Sequence, residues 1–178
     1  MKSRRSHYEL AFEAYLGRRG TPYVALEDVK QVTRGRTGAK AFDYIVYPPD
    51  GKACLVDVKG RKSIGPVSMQ DCRTKNWVTR DDLSGMDAWQ QVFGPQYSAW
   101  FVFAFWLAEI ARYPQLHLGV EPLFSFAGRY YSFWLVPLDD YARHTRQLSV
   151  RWDTVLVPKS DFDRISRHLE HCWHPAPC

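Results

Sequence analysis

The sequence predicts an α/β or α+β fold in which helices flank a mixed β-sheet. Three stretches indicate this class: an amphipathic helix from about Ser6 to Gly17 or Arg19, a hairpin within residues 40–62, and a strongly β-prone strand over residues 97–107. A length of 178 residues supports one sizeable core, so we expect a single domain that covers residues 1–178.

The first helix is predicted from its apolar face and from the signals at its end. Apolar side chains recur through residues 8–16 over a face too broad for a helix surrounded by solvent. Gly20 is expected to end the helix, with Arg18 and Arg19 placed where cations favour a helix C-terminus. Residues 23–32 then predict the first strand.

Residues 40–62 contain the pattern on which the functional prediction depends. Two β-prone runs flank Pro-Pro-Asp-Gly, which is a strong turn signal. A loop that pairs Pro48 with Lys52 would place Asp43 opposite Asp57, and Lys59 would share their face because side chains alternate along a strand. The other face would carry the core residues Phe42, Tyr44, Val46, Cys54, Val56 and Val58.

Two carboxylates opposed in a sheet destabilise it unless a cation lies between them or one carboxylate is protonated. Lys59, diagonal to Asp43, would supply part of this compensation. A divalent ion would supply the rest, and all-oxygen ligands favour Mg²⁺ or Mn²⁺ over zinc. The alternative is a surface ladder of aspartate and lysine on an edge strand, which the apolar residues on both faces disfavour.

The order of these residues resembles the PD-(D/E)xK nuclease superfamily, which includes restriction endonucleases and Holliday junction resolvases. Phe42-Asp43, a hairpin and Asp57-Val58-Lys59 match its short motifs, with Phe in place of Pro and Asp in place of the more frequent Glu. The preceding helix is similar to the opening helix of the resolvase-like branch, so the match covers about residues 6–62. The resemblance implies a restriction-endonuclease-like core, with a central mixed sheet flanked by helices, and Mg²⁺- or Mn²⁺-dependent hydrolysis of phosphodiester bonds.

The resemblance also implies a role for each matched residue. Asp43 and Asp57 would bind the metal ion, with the Val58 carbonyl as a third oxygen. Lys59 would position the attacking water and offset charge on the transition-state phosphate.

Two further expectations come from the same resemblance. A glutamate of the first helix would reach the metal site; Glu9 fits that position best, and Glu13, one turn later, is the alternative. Dimerisation is common among enzymes of this kind, so a homodimer is a further expectation.

Basic residues lie on both sides of these carboxylates in the sequence. The predicted nucleic-acid contacts are Arg34, Arg36, Lys40, Arg61 and Lys62. Such residues would contact phosphodiester groups, and a net charge of +5 is compatible with a polyanionic partner. We therefore expect nucleic acid, DNA in the first instance, as the partner; a solvated turn is the alternative for the loop over residues 33–40.

Further along the chain, residues 63–84 predict a long loop and residues 85–93 a helix. A hairpin is expected with strands over residues 119–126 and 130–138. Two strand-to-helix turns follow, each with a proline, and a last helix is expected over residues 160–172. The predicted N-caps of the last two helices are Asp139 or Asp140 and Ser160 or Asp161. The His- and Cys-bearing tail over residues 171–178 predicts a frayed terminus, with zinc binding as its alternative.

Composition restricts the remaining function classes. Four cysteines without regular spacing predict reduced thiols in a cytoplasmic protein, and no secretory signal opens the sequence. The most apolar run, residues 99–108, is too short to span a bilayer, so no membrane partner is expected. Beside a nuclease, the sequence leaves two alternatives: a non-catalytic nucleic-acid-binding module on the same scaffold, and a tryptophan-rich protein-interaction domain.

Overall fold

A computed structural model describes residues 5–26, 40–49, 51–63, 72–109 and 123–173 of the chain. The helices are α1 (His7–Arg19), α2 (Arg80–Phe93), α3 (Leu138–His144) and α4 (Lys159–Ile165), with a short 3₁₀ turn at Leu169–His171. The strands are β1 (Tyr23–Ala25), β2 (Tyr44–Val46), β3 (Ala53–Ser63), β4 (Val78–Thr79), β5 (Tyr97–Leu107), β6 (Phe124–Phe126), β7 (Arg129–Pro137), β8 (Arg146–Ser149), β9 (Thr154–Leu156) and β10 (Arg167–His168).

The strands form a large mixed sheet and a small antiparallel one. The large sheet has the order β1-β2-β3-β5-β7-β10, with β6 also paired to β7, and the small sheet has the order β4-β9-β8. Strands β3 and β5 are parallel, and the other pairs are antiparallel. Helix α1 packs on one face of the large sheet, and α2, α3 and α4 pack on the other. This is the mixed α/β architecture, with helices flanking a central sheet, that the sequence predicts.

Strand β5 is the centre of the large sheet. It pairs with β3 from Ala53↔Tyr97 to Ser63↔Leu107 and with β7 from Trp100↔Pro137 to Trp106↔Tyr131. A strand with neighbours on both edges and helices on both faces has almost no polar surroundings, which explains its continuous apolar sequence. The predicted strand over residues 97–107 is confirmed.

Local signals also account for α1. The Ser6 hydroxyl accepts a hydrogen bond from the Glu9 N–H, and the Glu9 side chain accepts one from the Ser6 N–H, which closes a capping box. Gly20 ends the helix with a φ of 65°, a left-handed conformation that glycine adopts without steric cost. The helix is therefore confirmed, and its buried face presents Phe12 and Leu16 to the sheet.

The hairpin has the predicted register, with Tyr44 opposite Val56, Ile45 opposite Leu55 and Val46 opposite Cys54. One expectation about its faces is wrong. The chain bends at Asp43, so the side-chain alternation of β2 does not extend to Phe42. The Phe42 ring instead packs 5.7 Å from that of Trp89 on α2, on the opposite side of the sheet from Tyr44.

Several other boundaries differ from expectation. Helix α2 begins at Arg80 rather than residue 85, because Thr79 and Asp82 form a capping box at its start. Pro137 and Pro158 occupy the N-cap positions of α3 and α4 without a side-chain cap, so the predicted N-caps of these helices lie within their first turns.

The last helix is also shorter than predicted. It ends at Ile165, because the chain continues as β10 and pairs with β7 through Arg167↔Leu135 and His168↔Trp134. In the hairpin predicted from residues 119–126 and 130–138, the described strands are β6 and β7, and Ala127 and Gly128 make the turn with φ values of 47° and 72°; residues 119–122 lie outside the described residues.

Some predictions lie outside the described residues. These are most of the first strand beyond Leu26, the basic loop with Arg34 and Arg36, part of the predicted loop at 64–71, and the end of the tail at 174–178. In the part of the chain that is described, none of the helices has the length and apolar character required to cross a membrane.

Candidate functional site

Asp57 and Lys59 project from β3 towards the side of the sheet that α2 covers. Their side chains form an ion pair, with the Lys59 Nζ 2.7 Å from the Asp57 Oδ2. Asp57 is 6% exposed. This burial raises the pKa of the Asp57 carboxyl to about 7, with Lys59 opposing the shift and Asp43 adding to it. A buried carboxylate with a strongly raised pKa is a common feature of functional sites.

Asp43 is hydrogen-bonded to the same segment of β3. Its Oδ2 accepts a hydrogen bond from the Val58 N–H at 2.8 Å, and its own N–H donates to the Val56 carbonyl at 2.9 Å. Since the N–H and C=O of one strand residue point to the same edge, the Val58 carbonyl faces the edge at which Asp43 lies. The structure thus brings Asp43, Asp57, Val58 and Lys59 together; their roles in metal binding and catalysis stay predictions.

A third carboxylate, that of Asp82 on α2, also contacts Lys59. The Asp82 Oδ1 lies 2.9 Å from the Lys59 Nζ and also pairs with the Lys40 ammonium, and its Oδ2 accepts the Thr79 N–H at 2.8 Å. Burial alone would raise the pKa of Asp82, but Lys59, Lys40 and the Thr79 N–H together lower it. Burial likewise opposes the charge on Lys59, yet Asp57 and Asp82 raise its pKa. Lys59 is therefore a buried ammonium between two carboxylates.

Sequence reasoning missed Asp82, because it treated residues 63–84 as a loop. One local signal was present: Thr79-Arg80-Asp81-Asp82 has the spacing of a capping box before an apolar helix. That signal predicts a helix start, but it does not predict contact with Lys59. The contact requires the small sheet, in which Thr79 pairs with Thr154 and the Arg80 N–H donates to the Asp153 carbonyl at 3.0 Å.

Lys40 reaches Asp82 because its backbone lies directly on α2. The Lys40 carbonyl accepts a hydrogen bond from the Trp89 Nε1–H at 3.0 Å. Gly85 permits this approach, since a Cβ there would lie 2.9 Å from the Lys40 carbonyl oxygen. The lack of a side chain at Gly85 thus determines how closely the segment before β2 approaches α2.

Replacing Gly85 by alanine is expected to destabilise the protein by about 1–3 kcal/mol, because backbone atoms of Lys40 cannot rotate away from the added methyl group. Gly17→Ala is the matched control: it also lies within a helix, but no atom lies within 4 Å of its added Cβ. The control should gain up to about 1 kcal/mol from helix propensity. Urea unfolding measures both, and equal stabilisation by the two substitutions would contradict the close packing at Lys40.

The two candidate glutamates lie on α1, which packs on the face of the sheet opposite Asp57. The Glu9 carboxylate accepts from the Ser6 hydroxyl at 2.9 Å, in the capping box. Glu13 pairs with Arg5 and accepts from the Tyr23 hydroxyl at 3.0 Å. These contacts belong to the start of α1 and its packing on β1; a catalytic role for Glu9 or Glu13 stays a prediction.

Arg61 and Lys62, both predicted to contact nucleic acid, differ in their surroundings. The Arg61 guanidinium stacks 3.9 Å from the centre of the Trp77 ring and donates to the carbonyls of Gly60, Lys75 and Trp77. Burial lowers the pKa of Arg61 to about 10. These contacts tie β3 to the segment before β4, whereas Lys62 is exposed and its ammonium lies 4.6 Å from the centre of the Trp106 ring.

The donor chemistry of the site can be compared with what a metal ion requires. Among the described residues, no three Asp, Glu, His or Cys side chains are grouped so as to hold an ion by themselves. Mg²⁺ does not require such a cage, since it commonly binds through one or two carboxylates together with waters and substrate phosphates. Asp43, Asp57 and the Val58 carbonyl are all oxygen donors, so they fit Mg²⁺ or Mn²⁺ better than zinc.

No protein-family model matches this chain, and no curated protein sequence matches it. Among solved structures, the chain is similar to Hjc, a Holliday junction resolvase from the archaeal hyperthermophile Archaeoglobus fulgidus. The likeness covers 91% of this chain and 88% of the resolvase, with a TM-score of 0.49 and 9% sequence identity. A likeness at this level does not transfer an activity, so the function is inferred below from the residues of this chain.

Proposed function

We propose that this protein is a metal-dependent nuclease that hydrolyses phosphodiester bonds in nucleic acid, DNA in the first instance. The observation that supports the proposal is the convergence of Asp43, Asp57 and Lys59 on one segment of β3. A buried carboxylate beside a second one and an ammonium is costly for a merely structural sheet. The cost is explained if Asp43 and Asp57 bind a metal ion and Lys59 interacts with a phosphate.

In this proposal Asp43, Asp57 and the Val58 carbonyl hold Mg²⁺ or Mn²⁺. When bound, such an ion supplies Lewis-acid activation of the phosphodiester and of the attacking water. Asp43 is well supported for this role, because the hydrogen bond from the Val58 N–H orients its carboxylate beside β3. Glu9, or Glu13 in its place, would contribute from α1 after leaving its present partners.

Lys59 positions the attacking water and offsets negative charge that develops on the phosphate. Asp82 supports this role, because it keeps a carboxylate against the Lys59 ammonium when Asp57 is engaged with a metal ion. The ammonium would otherwise lose its partner at that moment. We therefore assign Asp82 as a positioning residue, which acts through Lys59.

The basic residues predicted from the sequence would bind the nucleic-acid backbone. Lys40 and Lys62 have exposed side chains, while Arg61 uses several of its donors on backbone carbonyls and would act mainly by holding the segment at Trp77. Arg34 and Arg36 belong to the same proposal. A homodimer and a cytoplasmic location, expected from the sequence, also stay within it.

The experiment is a cleavage screen of linear and structured DNA and RNA with Mg²⁺ or Mn²⁺, and with Ca²⁺ and EDTA as controls. Asp43→Asn is the informative variant beside Asp43→Ala, because its side-chain carbonyl can still accept the Val58 N–H while the charge is lost. We expect wild-type protein to cleave and both variants to be inactive, with unfolding curves close to wild type for Asp43→Asn.

Two results would contradict the nuclease. Salt-dependent binding of nucleic acid without cleavage of any substrate would indicate the non-catalytic binding module. Cleavage that persists in both Asp43 variants would show that another part of the chain performs the reaction.

A further inference from the structure

Two cations converge on one indole ring on the face of the sheet opposite Asp57. The Lys62 ammonium lies 4.6 Å, and the Arg129 guanidinium carbon 5.1 Å, from the centre of the Trp106 ring. The His7 ring, at the start of α1, meets the same indole edge-on at 5.2 Å. We call Lys62, Trp106, Arg129 and His7 the Trp106 surface.

Backbone pairing brings these side chains together. Lys62 is the partner of Trp106 in the β3–β5 register, and Tyr131 is its partner in the β5–β7 register. Arg129 precedes Tyr131 by two residues on β7, so both side chains lie on the same face. The register of three paired strands therefore places Lys62, Trp106 and Arg129 next to one another on one face of the sheet.

Within the described ranges, no carboxylate neutralises the cations of the Trp106 surface. Neither Lys62 nor Arg129 lies within ion-pairing distance of a carboxylate in the described part of the chain. Burial and the nearby Arg129 lower the pKa of His7, so the positive charge of this surface comes from Lys62 and Arg129. The indole face attracts both cations and restrains them, but it carries no net charge.

We propose that the Trp106 surface binds the phosphate backbone of a nucleic-acid strand that flanks the reacting phosphodiester. A guanidinium and an ammonium held on one ring suit phosphate oxygens, since the first donates in a planar fork and the second acts as a point charge. Restraint by the ring before binding lowers the entropy lost when a phosphate docks. The nature of the polyanion rests on the proposed nuclease function.

The position of the surface relative to Lys59 supports a strand as the occupant. Lys62 follows Lys59 by three residues on β3, which is about 10 Å of strand, or roughly three nucleotide steps of B-form DNA. The two residues point to opposite faces. β2 pairs with β3 only as far as Val56, and beyond it no described β-strand pairs with that edge, where the Lys75 ammonium donates to the Lys62 carbonyl at 3.1 Å. A nucleic-acid strand that crosses this edge of β3 would contact both Lys59 and the Trp106 surface within a few nucleotides.

The test measures binding rather than cleavage. Fluorescence anisotropy with labelled single-stranded and duplex oligonucleotides, in EDTA and over a range of salt concentrations, gives the affinity and its salt dependence. We expect Lys62→Gln/Arg129→Gln to weaken binding about 10- to 100-fold near 0.1 M salt. The slope of log K against log salt should flatten by about 1.4 for single strands or 1.8 for duplex.

Three further variants separate this role from a general effect of charge or folding. Arg143→Gln/Lys159→Gln removes the same two charges from α3 and α4, on the other side of the sheet, and should leave the slope unchanged. Trp106→Phe keeps a ring for the cations and should bind nearly as wild type, while Trp106→Ala should bind more weakly with the same fold.

The outcomes distinguish this inference from the nuclease proposal. Wild-type protein could bind oligonucleotides without cleaving any of them, while the slope of log K against log salt is flatter for the Lys62/Arg129 variant. That result would support the Trp106 surface and contradict the nuclease. An unchanged slope in that variant, or an equal change in the Arg143/Lys159 control, would contradict nucleic-acid binding by the Trp106 surface. Neither result would contradict the proposed cleavage of nucleic acid at the Asp43–Asp57–Lys59 site. Binding to vesicles containing phosphatidylserine is measured in the same way. If the Lys62/Arg129 variant loses the vesicle binding of wild-type protein while its oligonucleotide binding is unchanged, the surface binds lipid headgroups, and the proposed role in nucleic-acid binding is wrong.

Discussion

Replacing Asp57 by asparagine is expected to abolish metal-dependent cleavage and to raise the stability of the metal-free protein at neutral and alkaline pH. An amide is a poor ligand for Mg²⁺ in place of a carboxylate, so cleavage should fall by about 10³-fold or more. Asparagine nevertheless keeps the shape of the side chain, and Lys59 keeps Asp82 as its partner. The two effects have opposite signs, which a general loss of folding would not produce.

The stability effect follows from the pKa of Asp57, which burial raises to about 7 from an ordinary value near 4. The folded protein therefore binds this proton more tightly than the unfolded chain does. In wild type, stability from this group falls as pH rises from about 4 to 7 and stays low above pH 7. The free energy of unfolding of Asp57→Asn should thus equal that of wild type at pH 4 and exceed it by roughly 2–4 kcal/mol at pH 8.

Urea unfolding in EDTA at several pH values between 4 and 8 measures this difference. Asp81→Asn is the matched control, because Asp81 is an exposed carboxylate in the first turn of α2 and should show no pH-dependent gain. An advantage of Asp57→Asn that is equal at pH 4 and pH 8 would contradict the raised pKa. Retained cleavage would contradict the role of Asp57 in metal binding.

Lys59→Met is expected to lose both activity and stability. Cleavage should fall by about 10²- to 10³-fold, since no other described ammonium lies between Asp57 and Asp82. The free energy of unfolding at pH 8 should fall by about 3–5 kcal/mol, because two buried carboxylates lose their shared cation. Activity assays and urea unfolding of the same preparation measure the two effects.

A second substitution separates the two losses. Asp82→Asn, added to Lys59→Met, removes one buried charge, and asparagine can still accept the Thr79 N–H that begins α2. The double variant should recover most of the stability and none of the activity. Lys40→Met is the control, because Lys40 pairs with the same carboxylate from an exposed position and should cost less than about 1 kcal/mol. A double variant that is no more stable than Lys59→Met, or one that regains cleavage, would contradict the assignment.

Elements with strong local signals could be predicted from the sequence. The capping residues and Gly20 determine the limits of α1. The Pro-Pro-Asp-Gly turn signal and its flanking β-prone runs predict the register that sets Asp43 beside the β3 segment of Asp57 and Lys59. The apolar run of β5 indicates a buried central strand. In each case the signal lies within one short, continuous stretch of sequence. There, residue propensity, capping and side-chain alternation are sufficient to predict the element.

The tertiary structure alone decided which distant groups meet. Asp82 reaches Lys59 only because the small sheet positions the start of α2, and Phe42 joins the α2 side because the chain bends at Asp43. The Trp106 surface depends on the order of β3, β5 and β7 in the sheet. Such contacts join residues far apart in the chain, and the free energy that selects them comes from burying whole faces of helices and sheets, which no local pattern of residues encodes.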